Sequence, residues 1–377
     1  MSHPTFANTV NFMSKDKKAK ERVTPIEQIE DLFKDTEGYY GTVYEFSESQ
    51  FCDEEKITTG SAQLDMHLDG GYNAGSISLF YGDEESGKTA QGLTWGKHWQ
   101  DRYGEKGWVI IFDAEGRLTR KKFNQSGVDI NRFAAPKSNS SEDALQAIQD
   151  MVLNNPHEFK YFFIIDSINA FTTKDERGKT LSEAEARAGV ARVTSMAFKK
   201  LSLPIHVLGH HLYLCSQVRA TNMSGFGGSG GGPSGGKATK FYGDLNAKIG
   251  QAWDGTTPKY LKEGDAVIGR YARIDFKKSY NEVTGTQIDI PIKYNHVGGV
   301  WREAEILDMC LSWGLVLQKS SWMKPQEELL REPAEKAGLD PDLVCKSIQG
   351  KTGFISHLEE NPDIANFLCK YLETVMG

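Results

Sequence analysis

Short unbroken apolar runs, separated by longer stretches whose apolar residues recur at helical spacing, dominate the chain from Ile57 to about Val300. Four of these runs are Ile77–Tyr81, Trp108–Phe112, Tyr161–Ile165 and Leu212–Ser216. A strand that is apolar at successive positions, not only at alternate ones, is buried on both faces, as in a parallel sheet covered by helices on either side. Alternation of such runs with helical stretches predicts an α/β fold with a mostly parallel central sheet. Tyr271–Lys277 and Gln287–Tyr294 alternate apolar and polar residues and predict two further strands. From about Trp301 the spacing turns helical: Glu303–Trp313 is amphipathic, and Thr352–Met376 has apolar residues at helical spacing around an Asn361-Pro362 break.

The same pattern divides the chain. Lys15–Arg22 is a mixed-charge run, and Thr24–Lys34 sets Ile26, Ile29, Leu32 and Phe33 on one helical face, which predicts an N-terminal arm and helix over residues 1–54. Residues 55–300 make the predicted core, and residues 301–377 a small C-terminal α/β domain. Gly225–Gly236 holds eight glycines in twelve positions, too few side chains to pack, and predicts a mobile loop. No period of about twenty to fifty residues recurs, which argues against a solenoid.

A chain of 377 residues exceeds what one hydrophobic core usually organises, so one large domain with appendages, or two domains, is expected. Hydrophobic residues at 39% together with 38 glycines exclude wholesale disorder and collagen-like repeats. Forty-four Lys and Arg against 51 Asp and Glu leave a net charge of −7, so contact with nucleic acid must come from local basic patches. The five cysteines (Cys52, Cys215, Cys310, Cys345, Cys369) are widely spaced and form no CxxC pair, which predicts reduced thiols in an intracellular protein and no zinc site. Met1–Lys15 has no basic region leading into an apolar run, and nowhere do about eighteen apolar residues follow one another. A soluble, cytoplasmic protein without membrane contact is expected.

Candidate chemistry gathers where the apolar runs end. Gly82-Asp83-Glu84-Glu85-Ser86-Gly87-Lys88-Thr89 fits G-x4-G-K-[ST], after the Ile77–Tyr81 run and before the helix-compatible Ala90–Gln100, the context that a phosphate-binding P-loop requires. Its glycines let backbone N–H groups turn inward on phosphates, and the next helix presents its N-terminus to the same anion. Lys88 reaches the β- and γ-phosphates, and the Thr89 hydroxyl ligates Mg²⁺. Tyr161–Ile165 ends in Asp166, which a buried strand delivers to the same crevice to hold Mg²⁺ through water. Trp108–Phe112 ends in Asp113-Ala114-Glu115, and Glu115 is the candidate to polarise an attacking water. His211–Ser216 leads into Gln217, a candidate γ-phosphate contact that couples nucleotide state to the following loop.

That loop, Arg219–Lys237, carries Arg219, Met223, Phe226 and Lys237 among glycines, with Lys240, Phe241 and Tyr242 just after. Basic residues around an aromatic in a mobile backbone suit single-stranded DNA, and the composition also suits a plain linker. His206, His210 and His211 lack neighbouring carboxylates and read as structural, the seven tryptophans as core or interface, and Lys15–Arg22 as a solvated arm.

Taken together, these segments resemble the RecA-type recombinase family, which includes bacterial RecA and the UvsX-like recombinases of phages. Ile57–Asp65 is similar to the family's approach to the P-loop, and Glu84-Glu85-Ser86-Gly87-Lys88-Thr89 to its E-S-S-G-K-T. Asp113-Ala114-Glu115, Gly127-Val128-Asp129-Ile130, Ile165-Asp166-Ser167, Ser216-Gln217-Val218-Arg219, Phe226-Gly227 and Gly235–Tyr242 match in wording and spacing, and Lys351–Met376 resembles the end of the bacterial C-terminal domain. The resemblance covers roughly residues 55 to 376.

It implies an ATP- and Mg²⁺-dependent recombinase that forms a helical homo-oligomer on single-stranded DNA and pairs it with homologous double-stranded DNA, with single-strand-binding and mediator proteins as further partners. Glu115 carries over as the catalytic glutamate, Gln217 as the γ-phosphate sensor and Lys88 as the phosphate lysine. Gly82, Asp83, Glu84, Glu85, Ser86, Gly87, Lys88, Thr89 and Ala90 become nucleotide contacts, and Thr89 and Asp166 hold the metal. Arg177–Gly189 becomes the first DNA loop, with Arg187 and Arg192 as contacts; Arg219, Met223, Phe226, Gly227, Gly235, Gly236 and Lys237 belong to the second. In the bacterial family two lysines of a neighbouring protomer reach the ATP. Lys277 and Lys278 lie in the corresponding strand, and Tyr280 stands at the second expected position. Thr119 and Lys122 stand where an Asp and a Tyr usually meet adenine, and Phe123 is the candidate to stack there. Two rival readings are a ring-forming RecA-fold helicase or motor, and a non-catalytic single-strand coat or mediator. The Phe226-Gly227 match speaks against the first, and intact Lys88, Thr89, Glu115 and Asp166 against the second.

Overall fold

The structure is a computed structural model in which residues 55–178, 188–219, 232–233 and 237–376 are described. The predicted arm and helix over residues 1–54 lie outside the described residues, as do Arg187, Met223, Phe226, Gly227, Gly235 and Gly236.

Each of the four unbroken apolar runs is a strand: β1 is Ser76–Gly82, β2 Gly107–Asp113, β3 Lys160–Asp166 and β4 His211–Arg219. Successive side chains point to opposite faces, and both faces are buried. On one face Val109, Ile111, Phe162 and Ile164 pack with Leu93, Trp95 and Trp99. On the other, Ile110, Phe112, Phe163 and Ile165 pack with Leu145, Ile148, Phe198 and Leu201. The covering helices, following a short α1 (Ala62–His67), are α2 (Lys88–Tyr103) on the first face and α3 (Ser141–Leu153) and α4 (Ala188–Val207) on the second. Helix α2 lies close on β4 because Gly92 has no side chain: a Cβ there would stand 2.7 Å from Cε1 of the buried Tyr213 ring.

Three longer strands extend the sheet, β5 (Leu245–Gln251), β6 (Ala266–Lys278) and β7 (Gln287–Lys293), and three short ones, Phe133–Ala134, Gly232–Pro233 and Tyr260–Glu263, also join it. From the short Phe133–Ala134 strand through β2, β3, β4 and β1 to β5, all neighbours are parallel. Beyond β5 the pairing turns antiparallel, with β6 against β5, β7 and the Tyr260–Glu263 strand. The sheet is therefore mixed. The change falls where the sequence stops being apolar throughout: β6 buries alternate residues such as Ala272, Ile274 and Phe276, which suits a wing with one wetter face.

After the sheet, α5 (Arg302–Ser312) and the helices Lys351–Glu360 and Pro362–Met376, divided at the expected Asn361-Pro362 step, gather Ile306, Leu307, Phe354, Leu358 and Leu368 into a third cluster. A three-stranded antiparallel sheet, Val316–Lys319, Trp322–Pro325 and Ile348–Gln349, accompanies them. Two of the three clustered histidines serve packing, buried His211 stacking on Phe162 with ring centroids 4.9 Å apart and His210 Nδ1 accepting from the Tyr161 N–H at 3.2 Å, while exposed His206 lies 2.8 Å from Gly75 O through Nδ1. Burial pushes the imidazoles of His210 and His211 down to about 3. No helix among the described residues is long and apolar enough to cross a membrane.

Candidate functional site

Parallel strands that end in register bring their carboxyl-terminal residues to one mouth, the place where open α/β sheets hold ligands. Here Gly82 of β1 is level with Gln217 of β4, and Asp113 of β2 with Asp166 of β3. The Gly82–Thr89 segment turns from β1 into α2. Gly87 stands at φ +107°, ψ 4°, a left-handed conformation that a Cβ disfavours, and serves as the N-cap of α2. No side chain caps this helix and no acidic residue lies in its first turn, so the positive end of its dipole is left to face an anion.

Lys88 is buried, and its ammonium donates to Gly82 O at 2.9 Å, Asp83 O at 2.7 Å and Ser86 Oγ at 3.1 Å. Burial lowers its pKa, against the pull of Asp166 and Asp83. Tyr213 donates to Lys88 O at 3.1 Å and so ties the first turn of α2 to β4. Thr89 Oγ1 donates to Asp166 Oδ2 at 2.6 Å. The Asp166 carboxyl is raised above its ordinary range, first by burial and then by Glu115 and Asp113, while the Thr89 bond works the other way. A hydroxyl and a carboxylate under excess negative potential are hard oxygen donors suited to Mg²⁺, which takes only one or two protein oxygens and completes its shell with water and phosphate. Among the described residues no group of three or more His, Cys, Asp or Glu is arranged to hold a metal.

Glu115 is held at both oxygens. Oε1 accepts from Ser167 Oγ at 2.6 Å and from Gln217 Nε2 at 3.1 Å, and Oε2 meets Arg117 Nε at 2.9 Å. The same guanidinium reaches Glu84 Oε1 at 3.3 Å. Asp113 shapes the turn: its Oδ1 accepts from Arg117 N at 3.1 Å and its Oδ2 from Leu118 N at 2.7 Å. The mouth thus brings together Lys88, Thr89, Asp166, Glu115 and Gln217. The sequence assigns no role to Ser167 or Arg117: Ser167 stands in the Ile165-Asp166-Ser167 segment beside the proposed metal carboxylate, and Arg117 two residues after Glu115.

Other expected residues lie apart or have local partners. Thr119 caps the Arg120–Ser126 helix by accepting from Lys122 N at 3.2 Å, and Phe123 packs on Phe133 with ring centroids 4.7 Å apart. Lys277 pairs with Asp275 at 2.6 Å, Lys278 donates to Phe241 O at 2.8 Å, and the Tyr280 hydroxyl donates to Gly71 O at 3.0 Å. Arg192 is exposed on α4. Within the glycine-rich segment Gly232–Pro233 pairs antiparallel with Val218–Arg219, and Lys237 opens the Lys237–Tyr242 helix. Beside the loop, a cavity of about 80 Å³ is lined by Ser86, Gly87, Ala90, Thr94, Arg270 and Gly298 among others. Two larger ones, about 530 Å³ each, lie away from this chemistry, around Lys160 and His210 and around Arg273 and Asp308.

Comparison with known proteins agrees with this arrangement at the level of family. Residues 23–303 match the RecA N-terminal domain. The chain is 26% identical over 338 residues to Protein RecA of Cutibacterium acnes, covering 89% of this chain and 88% of that one. It is 27% identical over 331 residues to Protein RecA of Aquifex pyrophilus (86% and 90%), and 27% identical over 337 residues to Protein RecA of Wigglesworthia glossinidia brevipalpis (89% and 92%). With three quarters of its length inside the family's N-terminal domain and an α/β sheet that ends in a glycine-rich loop, the chain belongs to the RecA family.

Proposed function

We propose that this protein is an ATP-dependent homologous recombinase: an ATPase that assembles as a helical filament on single-stranded DNA and pairs it with homologous duplex. The observation that carries the reading is the convergence at one sheet edge of Lys88, the Thr89–Asp166 pair at 2.6 Å and the Gln217–Glu115 pair at 3.1 Å. Those are the parts that phosphoryl transfer to water needs: a phosphate cradle, a metal seat, a water-positioning carboxylate and a sensor.

In this reading Lys88 exchanges its neutral loop acceptors for phosphate oxygens, which accept charge-assisted hydrogen bonds and are the stronger partners. Thr89 and Asp166 hold Mg²⁺, whose chemistry when bound is to neutralise phosphate charge. Glu115 accepts a hydrogen bond from the attacking water and orients it. Gln217 touches Glu115 and stands two residues before the end of β4, which continues into the Arg219–Lys237 segment. A change in what Gln217 contacts is therefore passed to the proposed DNA loop, a differential contact of the kind a ligand-driven switch needs. Residues 55–300 act as the ATPase core and residues 301–377 as the smaller C-terminal part, with Arg192, Arg219 and Lys237 supplying DNA contacts.

The test is ATP hydrolysis by the purified full chain with Mg²⁺, without DNA, with single strands and with duplex, beside Lys88→Ala. Strong stimulation by single strands, lost in the variant, is the expected result. Turnover indifferent to DNA removes the recombinase claim and leaves an ATPase, and no turnover at all brings forward a DNA coat or mediator.

A further inference from the structure

We infer that Arg117 is a positioning residue for hydrolysis, one that fixes the Glu115 carboxylate and registers it against the Gly82–Thr89 loop; the inference rests on the ATPase reading above. The geometry is specific. Ser167 and Gln217 both bind Oε1 of Glu115, and Arg117 Nε, at 2.9 Å, is the cation paired with Oε2. With Arg117 gone, the carboxylate is gripped at one oxygen and turns about its terminal torsion, which has broad, shallow wells. With Arg117 present it is gripped at both.

The second arm of the guanidinium points at the loop. Nη1 and Nη2 reach Glu84 Oε1 at 3.4 and 3.3 Å, a longer and looser contact than the one to Glu115. Arg117 thus links two elements that must be set against each other for hydrolysis: the loop that holds phosphates and the carboxylate that aims the water. Its own backbone is not free to wander, because Asp113 accepts from Arg117 N and from Leu118 N, and Gly116 N donates to Asp113 O at 3.3 Å. The aim of the side chain is set by the same strand end that delivers Glu115.

The arm to Glu84 adds little to folding, because the Arg117 side chain is 53% exposed and that of Glu84 65%; the tighter pair is the one with Glu115, whose side chain is only 14% exposed and is held besides by Ser167 and Gln217. A planar fork can span two carboxylates at once, whereas a lysine ammonium keeps the charge without that span. Removing Arg117 should therefore act on the rate of the chemical step and leave both nucleotide affinity and the fold nearly unchanged.

The experiment is steady-state ATP hydrolysis by the full chain with Mg²⁺ and single-stranded DNA, comparing the unaltered protein with Arg117→Ala, Arg117→Gln, Arg117→Lys and Lys88→Ala. For Arg117→Ala and Arg117→Gln the expected result is a fall in kcat of about 10- to 100-fold, the order of loss that a misplaced catalytic group produces, with KM for ATP within about threefold. Arg117→Lys should recover part of kcat, and thermal melting midpoints should stay together across the Arg117 series. If kcat for both neutral variants stays within about twofold of the unaltered protein, or if the loss appears in KM alone, the positioning role is overturned while Lys88-dependent turnover still supports the ATPase. Absence of Lys88-dependent turnover in the unaltered protein overturns both.

Discussion

Gln217 and Glu115 share one hydrogen bond, at 3.1 Å, so the proposed sensor and the proposed water-positioning group are a single mechanical unit. Gln217→Ala cuts the Glu115 carboxylate loose from the strand that leads to the proposed DNA loop while leaving Lys88, Thr89 and Asp166 intact. The expected outcome is nucleotide binding near normal, measured by equilibrium titration, with hydrolysis no longer raised by single-stranded DNA; full stimulation in that variant refutes the coupling. Glu115→Gln keeps the shape but not the basicity, and should lower kcat by about 10²- to 10⁴-fold with ATP still bound. At this scale the loop was legible because its spacing is set by local geometry: glycine where φ must be positive, lysine next, hydroxyl next. The contacts that Ser167 and Arg117 make with Glu115 were not, because a contact made across a crevice leaves no periodic mark in the chain.

The four inner strands were legible as elements because burial on both faces demands an unbroken apolar run. The wing of the sheet was legible as strands but not as antiparallel, since alternation describes one residue face and says nothing about the neighbour's direction. The C-terminal part was expected to be α/β, but the strands of its three-stranded sheet were not placed: the longest have four residues, too few for a period to emerge. Helix α2 carries a quieter signal. Gly92, unremarkable in sequence, is where this helix meets the Tyr213 ring, and Tyr213 in turn holds Lys88 O. Gly92→Ala therefore overpacks that contact. Overpacking costs about 1–3 kcal/mol and the better helix propensity of alanine offsets about 1 of it, so a denaturant-unfolding experiment should show a net loss of up to about 2 kcal/mol. It should also weaken ATP binding, because the first turn of α2 must shift with it; unchanged stability and affinity would show that the ring gives way freely.

At the scale of the whole molecule, one buried carboxyl joins distant parts of the chain. Glu305 on α5 is fully buried and accepts from Ser61 Oγ and from Ala62 N, the latter at 2.8 Å, at the start of α1. Burial raises its pKa from 4.5 to about 7, partly opposed by those two hydrogen bonds. Neighbouring Asp65 moves the same way, to about 6. A folded-state pKa above the unfolded value means that the native state binds the proton more tightly, so the stabilisation is full below about pH 4.5 and is lost as pH rises through about 7. Glu305→Gln cannot titrate, so the melting midpoint of the natural chain should fall relative to the variant between about pH 5 and pH 8; parallel curves would remove Glu305 as the cause. The chain alone determined which runs are buried strands, where the glycine-rich loop stands and which strand ends carry Asp166, Glu115 and Gln217, because those follow from local sterics and burial periodicity. Strand order, the switch from parallel to antiparallel, the clasp on Glu115 and the burial of Glu305 were decided only in three dimensions. They depend on which segments lie side by side, and that follows from packing the whole chain and not from any stretch of it.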